Sequence, residues 1–367
     1  MIRILQIVSS LNINAGAMSV MMNYYRQIDR SQVQFDFLYF FQTEPNHEKE
    51  ILSLGGRCFY LGKFGISMQY RKAMDRFFRE HGCDYTAIHC HPIFASELFG
   101  RYARKYGIRH VIAHSHSTKY SEKRLSALRN RVLTMFIDLF ATDYMACSQD
   151  AGRLFGKKIS GSGRIFILRN AIDTGKYKFN ADARKCIRKE LGIPENTFVI
   201  LQVARFSEEK NHHFMLDVFR ALSETRSDTK LVLTGDGRLK QACEAYSRML
   251  GVEDKVIFTG RRQDVPALLS AADVFVLPSL FEGFPVSAME AQASGLPCLL
   301  SDAITREAGI AHAVFLPVDQ GSQSWVDALL SVDLQHNREE AASMIRKAGF
   351  DIHDAAEQLS AYYLSLE

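Results

Sequence analysis

No stretch of this 367-residue chain approaches the roughly 18 uninterrupted apolar residues of a membrane-spanning helix. The N-terminal MIRILQIVSS is short and alternates into a loop, so it is expected to be a first core strand rather than a signal segment. The seven cysteines (Cys58, Cys83, Cys90, Cys147, Cys186, Cys243, Cys298) are scattered, odd in number and without CxxC spacing. That pattern argues against a disulfide framework and for reduced thiols in a cytoplasmic setting. No GxGxxG follows the first apolar run, which argues against a dinucleotide oxidoreductase, and no GxxxxGK with a following Ser or Thr marks a P-loop. No DxD-like acidic pair stands at a strand end to hold a divalent metal with a diphosphate; Asp150 and Asp173 stand alone. Internal repeats and low-complexity tracts are absent too.

What is present is an ordinary soluble composition, 47% hydrophobic and 23% charged, at a length that favours two domains. Strand-like and helix-like patterns alternate, which predicts parallel α/β architecture. Strands are expected at Ile2–Val8, Phe35–Tyr39, Cys58–Leu61, Ala87–Cys90, His110–Ala113, Tyr144–Cys147 and Ile165–Leu168. After a polar break they resume at Phe198–Val203, Lys230–Thr234, Lys255–Phe258, Val274–Leu277, Pro297–Leu300 and Ala313–Leu316. Amphipathic helices are expected at Tyr70–His81 and Glu97–Tyr106. The break, DTGKYKFNADARKCIRKELGIPENT, predicts a linker at 172–180 between an N-terminal domain, 1–175, and a C-terminal domain, 180–349, with a crevice between two similar units. Charge divides along the same line: residues 1–175 hold 24 Lys+Arg against 14 Asp+Glu, and the remainder 21 against 27. A basic front half suits an anionic membrane surface, a phosphate-linked substrate or nucleic acid, or it serves solubility alone.

The most informative stretch is FEGFPVSAME, in which Glu282 and Glu290 stand eight residues apart. It reads as the loop after a parallel strand followed by a helix opening near Pro285, at the sheet edge where α/β proteins bind ligands. One carboxylate then sits on the loop and the other inside the helix, beside a helix N-terminus suited to phosphate. Two carboxylates for hydroxyl groups and a seat for phosphate match a nucleotide-sugar. A second site, Ala204 to Asn211, follows the buried run FVILQV; Arg205 offers a planar fork and Lys210 a point charge, together suited to a diphosphate without metal. A Gly-Asp-Gly turn at Gly235 would let backbone approach a ligand, or is a plain turn. Thr259-Gly260-Arg261-Arg262 could hold a base, with Arg261 near a phosphate or a ring. In the first βα loop, Asn12 to Ala17, Gly16 at a helix start suggests amide contact with an anion. His114 and His116 follow the strand HVIA, and His89 and His91 end the preceding strand. A metal there is disfavoured because no acid lies near in sequence; polar contact with substrate fits better.

Together these residues resemble the retaining family-4 glycosyltransferases (glycosyl transferases group 1) of the GT-B fold, over nearly the whole chain. The resemblance rests on VSSLN with AGAMSVMMNYY, IAHSHST, ACSQDAGRLFG, ILRNAID, VARFSEEKNHHFMLDVF, LTGDG, FTGRRQDV and PSLFEGFPVSAMEAQASGLP, the last carrying the family's E-x7-E motif. It is similar to bacterial enzymes of capsular or exopolysaccharide assembly. The resemblance implies two Rossmann-like parallel-sheet domains facing a central crevice, with a final helix, about 350–367, returning to the N-terminal domain. It implies that Arg205 and Lys210 neutralise the donor diphosphate, that Glu290 binds ribose, and that Glu282, Gly283 and Phe284 hold the sugar. Val286 and Ser287 then begin the helix that faces the phosphates. His116, with His114 as the alternative, contacts the donor sugar, and Gly16 closes on the phosphates, although Ala15-Gly16 stands where the family often has Gly-Gly and a following Glu. The implied donor is a nucleoside-diphosphate sugar, UDP-linked, used without metal. The acceptor is a glycan or lipid-linked hydroxyl, met at the cytoplasmic face of an anionic membrane, with no nucleic acid. The residues alone leave rivals. Glu282 and Glu290 could be the acid and nucleophile of a glycoside hydrolase, although the cations then have no task. A nucleotide-sugar epimerase or a non-catalytic binding protein of the same fold are the others.

Overall fold

A computed structural model describes the chain except Asn14, Ile66, 118–127, Arg129, Leu133, Met135, Phe136, Gln335 and His336. Thr118 of the IAHSHST motif and Asn14 of the first loop therefore lie outside the described residues. The chain divides into two compact units: Met1–Ala171 with Ile352–Glu367, and Ile172–Asp351.

The first unit is built on β1 (Ile2–Ser10), β2 (Val33–Phe41), β3 (Cys58–Tyr60), β4 (Ala87–Cys90), β5 (His110–Ser115), β6 (Asp143–Ala146) and β7 (Ile165–Ile167). They form one parallel sheet in the order β3-β2-β1-β4-β5-β6-β7. The second is built on β8 (Phe198–Val203), β9 (Thr229–Thr234), β10 (Val256–Gly260), β11 (Val274–Leu277), β12 (Cys298–Ser301) and β13 (Ala313–Leu316), in the order β10-β9-β8-β11-β12-β13. Its pairs are parallel too. Every expected strand is present within a few residues. Central strands such as FVILQV and VFVL are buried almost throughout, as sheets covered on both faces require.

The helices follow the same logic. Helix Met68–His81 starts where the Ser67 side chain accepts from the Tyr70 amide, and it buries Tyr70, Met74, Phe77 and Phe78 at helical spacing. Those side chains join Leu5, Ile7, Leu38, Ile88 and Phe99 in the first unit's core. In the second unit, helix His212–Thr225 buries Met215, Leu216, Phe219 and Leu222 against β8, β9 and the buried Trp325. The last helix, Ile352–Leu364, belongs to the first unit, where the Tyr363 ring lies edge-on to Phe35 with ring centroids 5.7 Å apart.

The polar stretch expected as a linker is held within the second unit. The Ile172 amide donates to the Phe350 carbonyl at 2.9 Å, and the Thr174 hydroxyl to Asp351 at 2.5 Å. Asn180 caps helix Ala181–Glu190 through the Ala183 amide. A polar composition reads as linker in sequence; here several of its polar atoms have partners inside the unit, that of Thr174 being 177 residues away. No described helix is long and apolar enough to cross a membrane.

Candidate functional site

In each sheet the strand order reverses once, between β1 and β4 and between β8 and β11. Loops leaving the carboxyl ends of such neighbours diverge to opposite faces and leave room for a ligand. Most of the chemistry-bearing residues lie at these two places or on the strand ends beside them.

In the second unit, Arg205 and Lys210 follow β8 and Glu282 follows β11. Lys210 Nζ lies 2.5 Å from Glu282 Oε1, and the same oxygen accepts from Ser279 Oγ at 2.7 Å. The two side chains are only 19% and 11% exposed, so this cation and carboxylate, 72 residues apart, neutralise each other in a mostly dry place. The two loops are also tied by backbone, the Leu280 amide donating to the Glu209 carbonyl at 2.8 Å. Glu209 in turn accepts from Arg205 at 2.9 Å and from the Ser207 hydroxyl at 2.5 Å. Arg205 nevertheless keeps an exposed guanidinium, 57% accessible.

Beneath Arg205, Phe206 is fully buried and stacks on His212 with centroids 4.1 Å apart. Its other neighbour is the glycine turn after β9. A Cβ on Gly235, at φ 142°, would stand 2.0 Å from the Ala204 carbonyl oxygen, and one on Gly237, at φ 152°, 2.4 Å from that of Phe206. The glycines therefore let the turn press against the β8 loop and hold Arg205 from behind. The Gly235 amide is spent on the Gly260 carbonyl at 2.9 Å. Arg261 is exposed at the end of β10, whereas its neighbour Arg262 is clamped by Asp264 and Glu190 at 2.6 and 2.5 Å.

Helix Val286–Ala293 opens after Pro285, its N-cap, with no side-chain cap and no acid in the first turn. The amides of Val286 and Ser287 thus sit at an uncapped, positive helix end. Gly283 precedes it on the loop, and the Phe284 ring is buried, stacked on Phe350 with centroids 5.1 Å apart. Glu290, a little over a turn into the helix, accepts from the Tyr177 hydroxyl at 2.7 Å. Burial pushes its carboxyl up to about 7, against the opposing pull of Tyr177 and Lys176. Tyr177 went unforeseen as a site residue, and nothing in its sequence context signals it.

In the first unit, Gly16 opens helix Gly16–Gln27 after the carboxyl end of β1. It is exposed, open space lies where a Cβ would stand, and the helix again has no side-chain cap and no acid in its first turn. Four histidines gather at β4 and β5. His89 meets the Tyr363 hydroxyl at 2.6 Å and His114 at 3.0 Å; His91 meets Gln6 at 2.8 Å and His116 at 2.7 Å. Burial holds His89 down at about 3 and His116 at about 4, and takes His91 and His114 well below the ordinary range, so all four rings are neutral. Ring nitrogens of His89, His91 and His114 lie within 4.8 Å of one another, a spacing that a metal ion could also use. Gln6 and Tyr363 were not foreseen.

With this geometry in view, likeness to known proteins becomes informative. The model of the family described as glycosyl transferases group 1 matches residues 183–349. Over its full length the chain is 34% identical to the glycosyltransferase-named protein EpsF of Bacillus subtilis (strain 168), covering 97% of that protein. The chain belongs to the glycosyl transferases group 1 family. Among its relatives is the UDP-Gal:alpha-D-GlcNAc-diphosphoundecaprenol alpha-1,3-galactosyltransferase of Escherichia coli, 29% identical over 59% of this chain and 58% of that one. Among solved structures, HepE of Anabaena in complex with UDP superposes with a TM-score of 0.82 at 19% identity, covering all of both chains. This glycosyltransferase therefore has the GT-B fold of two Rossmann-like parallel-sheet units, and the epimerase and binding-protein alternatives are not favoured.

Proposed function

We propose that this glycosyltransferase moves a sugar from a UDP-sugar to an acceptor hydroxyl, with retention at the anomeric carbon and without metal, in assembly of a surface polysaccharide. The observation that carries the reading is the Lys210–Glu282 pair at the β8/β11 reversal, beside the uncapped helix end at Val286 and Ser287. A donor needs phosphate contacts and hydroxyl contacts side by side, and this pair offers one of each. UDP in HepE and the UDP-sugar in the name of the Escherichia coli relative support the choice of nucleotide. The diphosphoundecaprenol in that same name supports a lipid-linked acceptor, and the basic N-terminal half suits docking at an anionic membrane face.

In this reading the bond from the anomeric carbon to the diphosphate breaks while the acceptor oxygen bonds to the same face of that carbon. The acceptor proton goes to the departing phosphate oxygen. Negative charge grows on the diphosphate, and Arg205, Lys210 and the amides of Val286 and Ser287 stabilise it. Glu282, with the backbone at Gly283 and Phe284, holds sugar hydroxyls, and Glu290 holds the ribose. Gly16, Gly235 and Arg261 are assigned to the donor, and His116 to a sugar hydroxyl. A glycoside hydrolase with Glu282 and Glu290 as acid and nucleophile would leave the exposed Arg205 guanidinium without a task.

The test is a thermal-shift panel of nucleoside-diphosphate sugars in the presence of EDTA. A UDP-sugar at 100 times its dissociation constant should stabilise the fold by about 2.7 kcal/mol. Stabilisation that disappears with EDTA would remove the metal-free part of the reading, and a panel without any stabilising nucleotide would remove the whole.

A further inference from the structure

The polar atoms around Gln6 determine which way each proton points in the histidine cluster. Gln6, His89 and His114 are fully buried, as is Tyr363. The Gln6 amide directs its Nε2 to the Tyr363 oxygen at 3.3 Å and its Oε1 to His91 Nε2 at 2.8 Å. An amide oxygen only accepts, so His91 Nε2 carries the proton of that neutral ring and Nδ1 is bare. His116 Nε2, 2.7 Å from that bare nitrogen, must donate, which leaves His116 Nδ1 as a lone pair.

The other branch runs the opposite way. Tyr363 accepts from Gln6, so its own proton goes to His89 Nδ1 at 2.6 Å. Were His89 the donor, the tyrosine proton would have no acceptor there. His89 Nε2 then donates to His114 Nδ1 at 3.0 Å, and His114 Nε2 ends the branch as an N–H. Among the ring nitrogens of these four histidines, His114 Nε2 and His116 Nδ1 are the two that are buried without a hydrogen-bond partner among the described residues. Their rings stack with centroids 3.8 Å apart. One branch thus ends in a donor and the other in an acceptor, side by side. A buried polar atom left without a partner is costly, so both nitrogens favour a ligand that pairs them.

We infer that His114 Nε2–H and His116 Nδ1 form a seat for a single sugar hydroxyl, and that Gln6 and Tyr363 are positioning residues that set the seat's polarity. A hydroxyl accepts from one nitrogen and donates to the other; a phosphate oxygen cannot donate, and an ammonium cannot accept. The inference rests on the proposed function for the identity of the hydroxyl as a sugar's, and it adds His114 as a contact and the two remote side chains that orient it.

The experiment is long-range nitrogen–proton NMR of histidine rings in the full-length protein, repeated with UDP and with UDP-glucose, UDP-galactose and UDP-N-acetylglucosamine. The resting protein should show protonated Nε2 and bare Nδ1 on His116 and His114 alike. At least one UDP-sugar should shift His116 Nδ1 and His114 Nε2, and UDP alone should not. Tyr363→Phe should mix the tautomers of His89 and His114, leave His116 in its single form, and weaken the responding UDP-sugar threefold to tenfold. The opposite tautomers, or stoichiometric bound zinc with its ligating nitrogens bare, would overturn the seat. Calorimetry with UDP on the same samples separates the two levels of argument. Rings that stay unmoved by every UDP-sugar while UDP binds overturn the seat; UDP that does not bind overturns the donor reading beneath it.

Discussion

Asp36 in the first unit and Asp273 in the second do the same work. Asp36 lies wholly buried on β2 and accepts from Arg3, from the backbone and side chain of Arg57, and from the Tyr85 hydroxyl, at 2.8–3.1 Å. Asp273, at the foot of β11, accepts from Arg184, Arg188 and the Val199 amide at 2.6–2.8 Å. Both clamps fasten a parallel sheet whose strand order reverses once. At the strands' carboxyl ends the likeness stops. The first unit sets neutral imidazoles there, the second Lys210 against Glu282 with Arg205 exposed beside them. The shared topology fixes where a ligand meets each sheet; the side chains fix what that ligand can be. The charged end suits a diphosphate, and the neutral end suits hydroxyl groups.

The largest way to break this comparison is Lys210→Ala. Removing a group proposed to face the charge that grows in the reaction should cut turnover about 100- to 1,000-fold, in an enzyme whose circular dichroism is unchanged; wild-type turnover would take Lys210 out of the proposed diphosphate site. Next come the clamps. Asp36→Ala and Asp273→Ala each strand two arginines and should cost about 3–5 kcal/mol in urea unfolding. A loss confined to one of the two would show that the units are not fastened alike.

Glu290 sharpens the charged side. Its folded-state value near 7 lies above that of an unfolded glutamate, so the native state holds a proton there that the unfolded chain has released. Its contribution to stability is present below the unfolded value and is lost as pH rises through about 7. In the role proposed for Glu290, ribose binding has the opposite sign, because the ionised carboxylate is the better acceptor. Affinity for a UDP-sugar, whose diester phosphates stay ionised, should rise up to about tenfold from pH 6 to 8. Glu290→Gln should flatten that rise. The smallest expected effect is on the neutral side: no ring of His89, His91, His114 or His116 should titrate in NMR between pH 5 and 8, and a midpoint in that window would show the cluster to be charged.

The parallel fold is legible because buried strands such as FVILQV and VFVL are nearly continuous apolar runs, bounded by polar or charged residues or proline. Glu282 and Glu290 are legible because one strand–loop–helix element carries both. What contacts cross the chain could not be read. Tyr177 meets Glu290 113 residues away, and Gln6 meets Tyr363 357 residues away. Neither partner has a local pattern to mark it. The Gly-Asp-Gly turn shows a different limit. Its glycines signal close approach, and the approach is to Ala204 and Phe206 of the neighbouring loop, a partner that only the sheet order reveals.

The central claim is that the second unit's charged strand ends hold the nucleotide. Calorimetric titration of UDP into the wild-type chain, Lys210→Ala and Glu290→Ala tests it most directly. The account predicts that Glu290→Ala weakens UDP by about 1.5–3 kcal/mol and that Lys210→Ala weakens it at least about tenfold, or 1.4 kcal/mol. Wild-type affinity in both folded variants would contradict it.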